Sequence, residues 1–94
     1  MDAGPINHAG LFNIVDWHDQ QGFLMALRNH VYLVDPLNVK QVKKVEVCLA
    51  DFEVTAVSWL DEDVWAACST QDVQAITVWM GLRQIRRLHV PLGL

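Results

Sequence analysis

Few side chains in this sequence of 94 residues have the type and spacing to do chemistry. The histidines His8, His18, His30 and His89 are separated by 10, 12 and 59 positions. A zinc site needs three or four convergent ligands at short spacings, which these intervals do not offer. They read instead as histidines of loops and strand ends. Cys48 and Cys68 are too few for a disulfide scaffold and lack metal-ligand spacing. The run Asp61-Glu62-Asp63 could be taken for a paired-carboxylate centre. Glycoside hydrolysis needs two carboxylates about 5–9.5 Å apart across a cleft, whereas three acids in one hairpin make a solvated turn. Ser58 and Ser69 have no base that the sequence nominates, and neither a nucleophile elbow nor a phosphate-binding glycine loop occurs. The expectation is a chain without catalytic residues, resident metal or cofactor.

The remaining conspicuous residues point to binding or packing. Trp17, Trp59, Trp65 and Trp79 could stack on a ligand, but each carries roughly 150–250 Å² of surface that a small protein must bury. Packing is the favoured reading. Lys40, Lys43 and Lys44 with Arg83, Arg86 and Arg87 could meet an acidic partner, but read better as the soluble rim of two outer strands.

The elements that position these residues follow from composition and repetition. One small domain is all that 94 residues allow, and 52% hydrophobic with 19% charged residues excludes a disordered chain. A net charge of −4 without a basic face gives no reason to expect nucleic acid. Apolar runs of only a few residues predict no membrane span, and residues 1–20 show no basic start followed by an apolar stretch.

Four segments recur in order. Asn13-Ile14-Val15-Asp16-Trp17 answers to Thr55-Ala56-Val57-Ser58-Trp59, offset 42. Phe23-Leu24-Met25-Ala26-Leu27 answers to Val64-Trp65-Ala66-Ala67-Cys68, offset 41. The third pair is Val31–Asp35 with Ile76–Met80, offset 45, and the fourth Gln41–Val45 with Gln84–Leu88, offset 43. Each segment is short, rich in Val, Ile, Trp, Tyr and Thr, and bounded by turn formers, which predicts strands. Arg28-Asn29-His30 reads as a tight hairpin in which Asn29 takes the left-handed conformation. Asp35-Pro36-Leu37-Asn38 reads as a turn. The apolar runs 23–27 and 64–68 suggest inner strands covered on both faces. Residues 82–88 fit both an amphipathic helix and a strand, and the repeat assigns them to an outer strand. A period of 40–45 residues matches the four-stranded blade of a WD-repeat propeller. The expected architecture is therefore all-β, with two four-stranded antiparallel blades of a WD40-type partial propeller. Its parts are a lead-in segment (residues 1–11), blade 1 (12–47), a linker (48–53) and blade 2 (54–90).

The ordered set Asn13–Trp17, Ala26–Leu33, Val54–Trp59 and Gln84–Leu88, preceded by Met1-Asp2-Ala3-Gly4-Pro5-Ile6, resembles blades one and two of the Fizzy and Fizzy-related proteins. These are the WD-repeat activators of the anaphase-promoting complex, a ubiquitin ligase. The resemblance spans almost the whole chain. It departs at Val34-Asp35, where the family has a tryptophan, and around Ser69–Asp72, where the family has a glycine and a shorter loop. It implies a non-enzymatic protein of nucleus and cytoplasm that binds degrons of cell-cycle substrates and subunits of the ligase. It also implies a degron pocket using Asp2, whose carboxylate would hold the motif's arginine. Tyr32 would wall the pocket for the motif's leucine. The alternative is a generic WD-repeat interaction scaffold of another family. On either reading, stacked repeats need neighbours to bury their flanks, so self-association through exposed blade edges is expected.

Overall fold

The computed structural model describes residues 14–92. They form eight strands: β1 (Ile14–His18), β2 (Gly22–Leu27), β3 (His30–Val34), β4 (Lys43–Glu46), β5 (Val54–Asp61), β6 (Val64–Ser69), β7 (Ala75–Met80) and β8 (Arg83–His89). No helix occurs among the described residues, and residues 83–89, the ambiguous segment, are a strand. The strands build two four-stranded antiparallel meanders, β1-β2-β3-β4 and β5-β6-β7-β8.

The registers correct one expected correspondence. Trp17 pairs with Phe23, and Trp59 pairs with Trp65. Phe23 is therefore the counterpart of Trp65, and β2 matches β6 at offset 42 rather than 41. The other offsets hold: Phe23 pairs with Val34 as Trp65 pairs with Trp79, and Tyr32 pairs with Lys44 as Thr77 pairs with Arg87.

Because paired residues share a face and successive residues alternate, the registers sort every side chain. The first sheet turns Ile14, Asp16, Leu24, Ala26, Val31, Leu33 and Val45 towards the second. The second answers with Val57, Trp59, Trp65, Ala67, Thr77 and Trp79. Between them lies one core, with Leu24, Val31 and Trp65 wholly inaccessible to solvent. Trp65 stacks on Trp79 with ring centroids 5.3 Å apart and planes 8° from parallel. Their indole N–H groups are both satisfied: Trp65 donates to the Gly81 carbonyl at 2.9 Å, and Trp79 to the Thr77 hydroxyl at 2.9 Å. That hydroxyl in turn donates to the Ala67 carbonyl at 3.2 Å. Inner-strand tryptophans therefore pack, as expected.

The turns explain the rest of the layout. The β2–β3 connection is the two residues Arg28 and Asn29, and Arg28 rather than Asn29 takes the left-handed conformation (φ 55°). Asn29 is buried, and its side-chain amide donates to Glu46 Oε1 and to the Cys48 carbonyl, each at 3.0 Å. A left-handed Asn29 was the wrong expectation because its amide is committed to the linker instead of to the turn. Gly22 (φ 92°) opens β2 so close to β3 that a Cβ there would collide with the Val34 carbonyl oxygen. The 35–42 connection holds the expected turn: the Asn38 N–H donates to the Asp35 carbonyl at 3.0 Å, and the Leu37 N–H to Asp35 Oδ1 at 2.9 Å. Lys40, expected on an outer strand, falls in this connection, whereas Lys43 and Lys44 lie on β4.

Residues 47–53 pass between the sheets and are fastened to both. Val47 N–H donates to the Asn29 carbonyl (2.8 Å), and Val54 N–H to the Arg28 carbonyl (2.7 Å). Leu49 N–H donates to Gln71 Oε1 (2.8 Å), and Glu53 N–H to the Thr70 hydroxyl (2.9 Å).

Candidate functional site

Two regions of the surface are candidates for binding. The first is an open cleft of about 800 Å³ between the sheets, at the end carrying the β1–β2 and β5–β6 turns. His18, Gln21, Asp35, Lys43, Trp59 and Asp61 are among its walls. Gln21 organises it. Its amide N–H donates to the Asp61 carbonyl at 3.0 Å, and its Oε1 accepts the Asp63 N–H. One side chain of the first sheet thereby holds the acidic turn of the second. Asp61, Glu62 and Asp63 are exposed there, with the Glu62 N–H donating to Asp61 Oδ1 at 2.8 Å. This is a solvated turn whose backbone is what the protein uses. The floor of the cleft is the sheet contact itself. Trp59 N–H donates to Asp16 Oδ2 at 2.7 Å, and its indole N–H donates to the Gly22 carbonyl at 3.2 Å.

The second region is the outward face of the first sheet. Val15, Trp17, Phe23, Met25, Tyr32 and Val34 lie on it by register, with Lys44 and Glu46 along the β4 rim. Trp17 and Val15 are each 45% exposed. Trp17 leans on Phe23 with ring centroids 4.4 Å apart, and its indole N–H donates to Asp19 Oδ1 at 3.2 Å. Tyr32 stands in the middle of this face between Met25 and Lys44, with the His30 ring 6.4 Å away. Such a surface offers apolar contact around one hydroxyl, which suits an apolar side chain flanked by polar groups.

Of the two residues assigned to a degron pocket, Tyr32 is on this outward face and Asp2 lies outside the described residues. Tyr32 does not line the cleft. The histidines do not converge: His18 ends β1, His30 opens β3, His89 ends β8, and His8 lies outside the described residues. Among the described residues, no group of three or more His, Cys, Asp or Glu side chains could hold a metal ion.

The two cysteines are unpaired thiols. Burial pushes the Cys48 thiol above its ordinary pKa, an effect opposed by a hydrogen bond with Ser69 and reinforced by the nearby Glu46 carboxylate. Ser58 donates to the Trp59 carbonyl at 3.2 Å. Arg87 is ion-paired with Asp72. The Asp72 carboxyl is held below its ordinary pKa, first by the hydrogen bond from the Gln74 N–H and then by Arg87.

Gln21 and Asn29 hold the acidic turn and the linker through side-chain amides, roles that sequence reasoning did not assign to them. Both sit in turns, where a polar residue carries no information about a distant partner.

Compared with models of protein families and with curated protein sequences, the chain matches none.

Proposed function

We propose that the chain is a two-blade unit of WD-repeat type that binds short linear peptides, in the manner of the degron-recognising activators of the anaphase-promoting complex. The observation that carries this reading is the outward apolar face around Tyr32, half-buried at its centre and exposed at Val15 and Trp17. On the resemblance to the Fizzy family, the tyrosine that contacts the degron would correspond to Tyr32. The repeated four-stranded meander at offset 42 is in keeping with blades. Recognition on this reading is passive. The leucine of a degron packs beside Tyr32, its arginine meets the carboxylate of Asp2, and other proteins carry out ubiquitin transfer.

The test is titration of a fluorescently labelled destruction-box peptide, with a scrambled peptide as control. Tyr32→Ala and Asp2→Ala should each weaken binding by about tenfold, about 1.4 kcal/mol. Unchanged affinity in both variants overturns the assignment and leaves a WD-type scaffold that recognises some other partner.

A further inference from the structure

The two sheets repeat position for position, and the repeat carries information about faces as well as strands. The face of the second sheet that is buried on the first consists of two rows of paired residues. They are Trp59-Trp65-Trp79 and Val57-Ala67-Thr77-Arg87. Their counterparts in the first sheet are Trp17-Phe23-Val34 and Val15-Met25-Tyr32-Lys44. Every member of the counterpart set lies on the outward face. The converse also holds. The rows of the first sheet that receive the second are Asp16-Leu24-Leu33-Lys43 and Ile14-Ala26-Val31-Val45. Their counterparts, Ser58-Ala66-Val78-Arg86 and Ala56-Cys68-Ile76-Leu88, all lie on the outward face of the second sheet. The molecule thus contains one sheet-on-sheet interface and carries the counterparts of both its halves on its two outward faces. There Val15, Trp17, Ala56 and Ser58 are exposed, Phe23, Met25, Tyr32, Cys68 and Ile76 half-buried, and Ala66 and Val78 buried.

We infer that a second copy of this chain occupies these faces, head to tail, with the outward face of the first sheet of one copy seated on the outward face of the second sheet of the next. The geometry repeats the contact already inside the molecule. Trp17 of one copy lies against the β5–β6 turn of its neighbour, as Trp59 lies against the β1–β2 turn. Size complementarity supports the pairing. The bulky Trp17, Phe23, Met25 and Tyr32 would meet an edge of the second sheet whose exposed positions on β5, Ala56 and Ser58, are small. The basic residues do not obstruct it. Lys44 and Arg86 hold the rim positions that Arg87 and Lys43 hold in the internal contact, and there they remain exposed. The contact is heterologous: each copy contributes two different faces, so association proceeds to a closed ring or an open stack. This inference does not depend on the degron reading.

The test uses the full chain in sedimentation velocity across a concentration series, with one arginine placed on each face. Val15 is half-exposed on the first sheet and Ser58 is exposed on the second. The wild-type chain should grow beyond a dimer with concentration, while Val15→Arg and Ser58→Arg should each remain monomeric. An equimolar mixture of the two variants should form a one-to-one dimer, because one intact face of each kind survives. A wild-type chain that stays monomeric overturns the inference. So does a variant that still self-associates, or a mixture that stays monomeric. Circular dichroism checks that each variant folds, and Trp17→Arg and Ala56→Arg replace either one that does not.

Discussion

Trp65 carries more of the fold than any other described side chain. It is wholly buried, stacked on Trp79, and bonded through its indole N–H to Gly81. Truncation removes the transfer energy of the ring and leaves a cavity that the sheets cannot close. Trp65→Ala should therefore cost about 3–5 kcal/mol in urea unfolding. Asn29→Ala acts by a different route. It leaves the Cys48 carbonyl without its donor from the side chain of a buried residue, at a cost of about 1–3 kcal/mol. Thiol chemistry separates the two cysteines. Burial keeps Cys48 protonated, so at pH 8 an alkylating reagent should modify the more accessible Cys68 first. Equal rates would show that the 47–53 segment opens freely. Asp72 has a folded-state pKa below its ordinary value of 3.8. Its contribution to stability is present above that value and is lost as pH falls through the lower, folded-state pKa. Asp72→Asn should flatten this acid limb of the stability profile, as read by fluorescence-detected unfolding.

At the scale of elements, the eight strands were legible in the sequence because β-branched and aromatic residues cluster between turn formers. Their register was only partly so. β1 and β5 share Val-x-Trp, at Val15 and Trp17 and at Val57 and Trp59, and this identity makes the 42-residue match unambiguous. In β2 and β6 both faces are apolar, so sliding one against the other by a residue loses nothing visible. Only the partners Trp17–Phe23 and Trp59–Trp65 fix the alignment. The left-handed residue of the β2–β3 hairpin was misplaced for a related reason. Local propensity favours Asn29 for that conformation, but the linker's carbonyl competes for its amide. Tyr32 could be placed on a strand from sequence, yet its outward orientation depends on which face the second sheet covers. The two structurally described glycines make a direct comparison. Both have positive φ, but a Cβ at Gly22 runs into β3, whereas at Gly81 it meets nothing within 4 Å. Gly81→Ala should cost about 1 kcal/mol from the backbone alone. Gly22→Ala should cost clearly more, and equal losses in thermal melts would show that the β2–β3 approach is slack.

Considered whole, the molecule has one core shared by two sheets, neither of which encloses a core alone. Contacts of β5 with β1 and β2, together with the linker bonds, join them. Unfolding should therefore be a single cooperative event. Leu24→Ala in the first sheet should lower the tryptophan-fluorescence and far-ultraviolet circular-dichroism transitions together, although all the core tryptophans are in the second sheet. Separated transitions would mean that the sheets fold independently. Tyr32 also belongs to the face assigned to copy-to-copy stacking, so peptide titrations belong at concentrations below self-association.

The differing offsets reflect connections of unequal length in the two repeats. The β2–β3 hairpin is two residues long, and its counterpart between β6 and β7 runs from Thr70 to Gln74. The β3–β4 connection runs from Asp35 to Val42, and its counterpart is only Gly81 and Leu82. The longer connection thus falls at one place in one repeat and at another in the other, while the paired rows stay in step. Loop length costs little in closure entropy, so these two long connections are natural ports for added sequence. A reporter peptide grafted between Leu37 and Lys40 should leave the sheets as they are and give this small molecule an addressable handle.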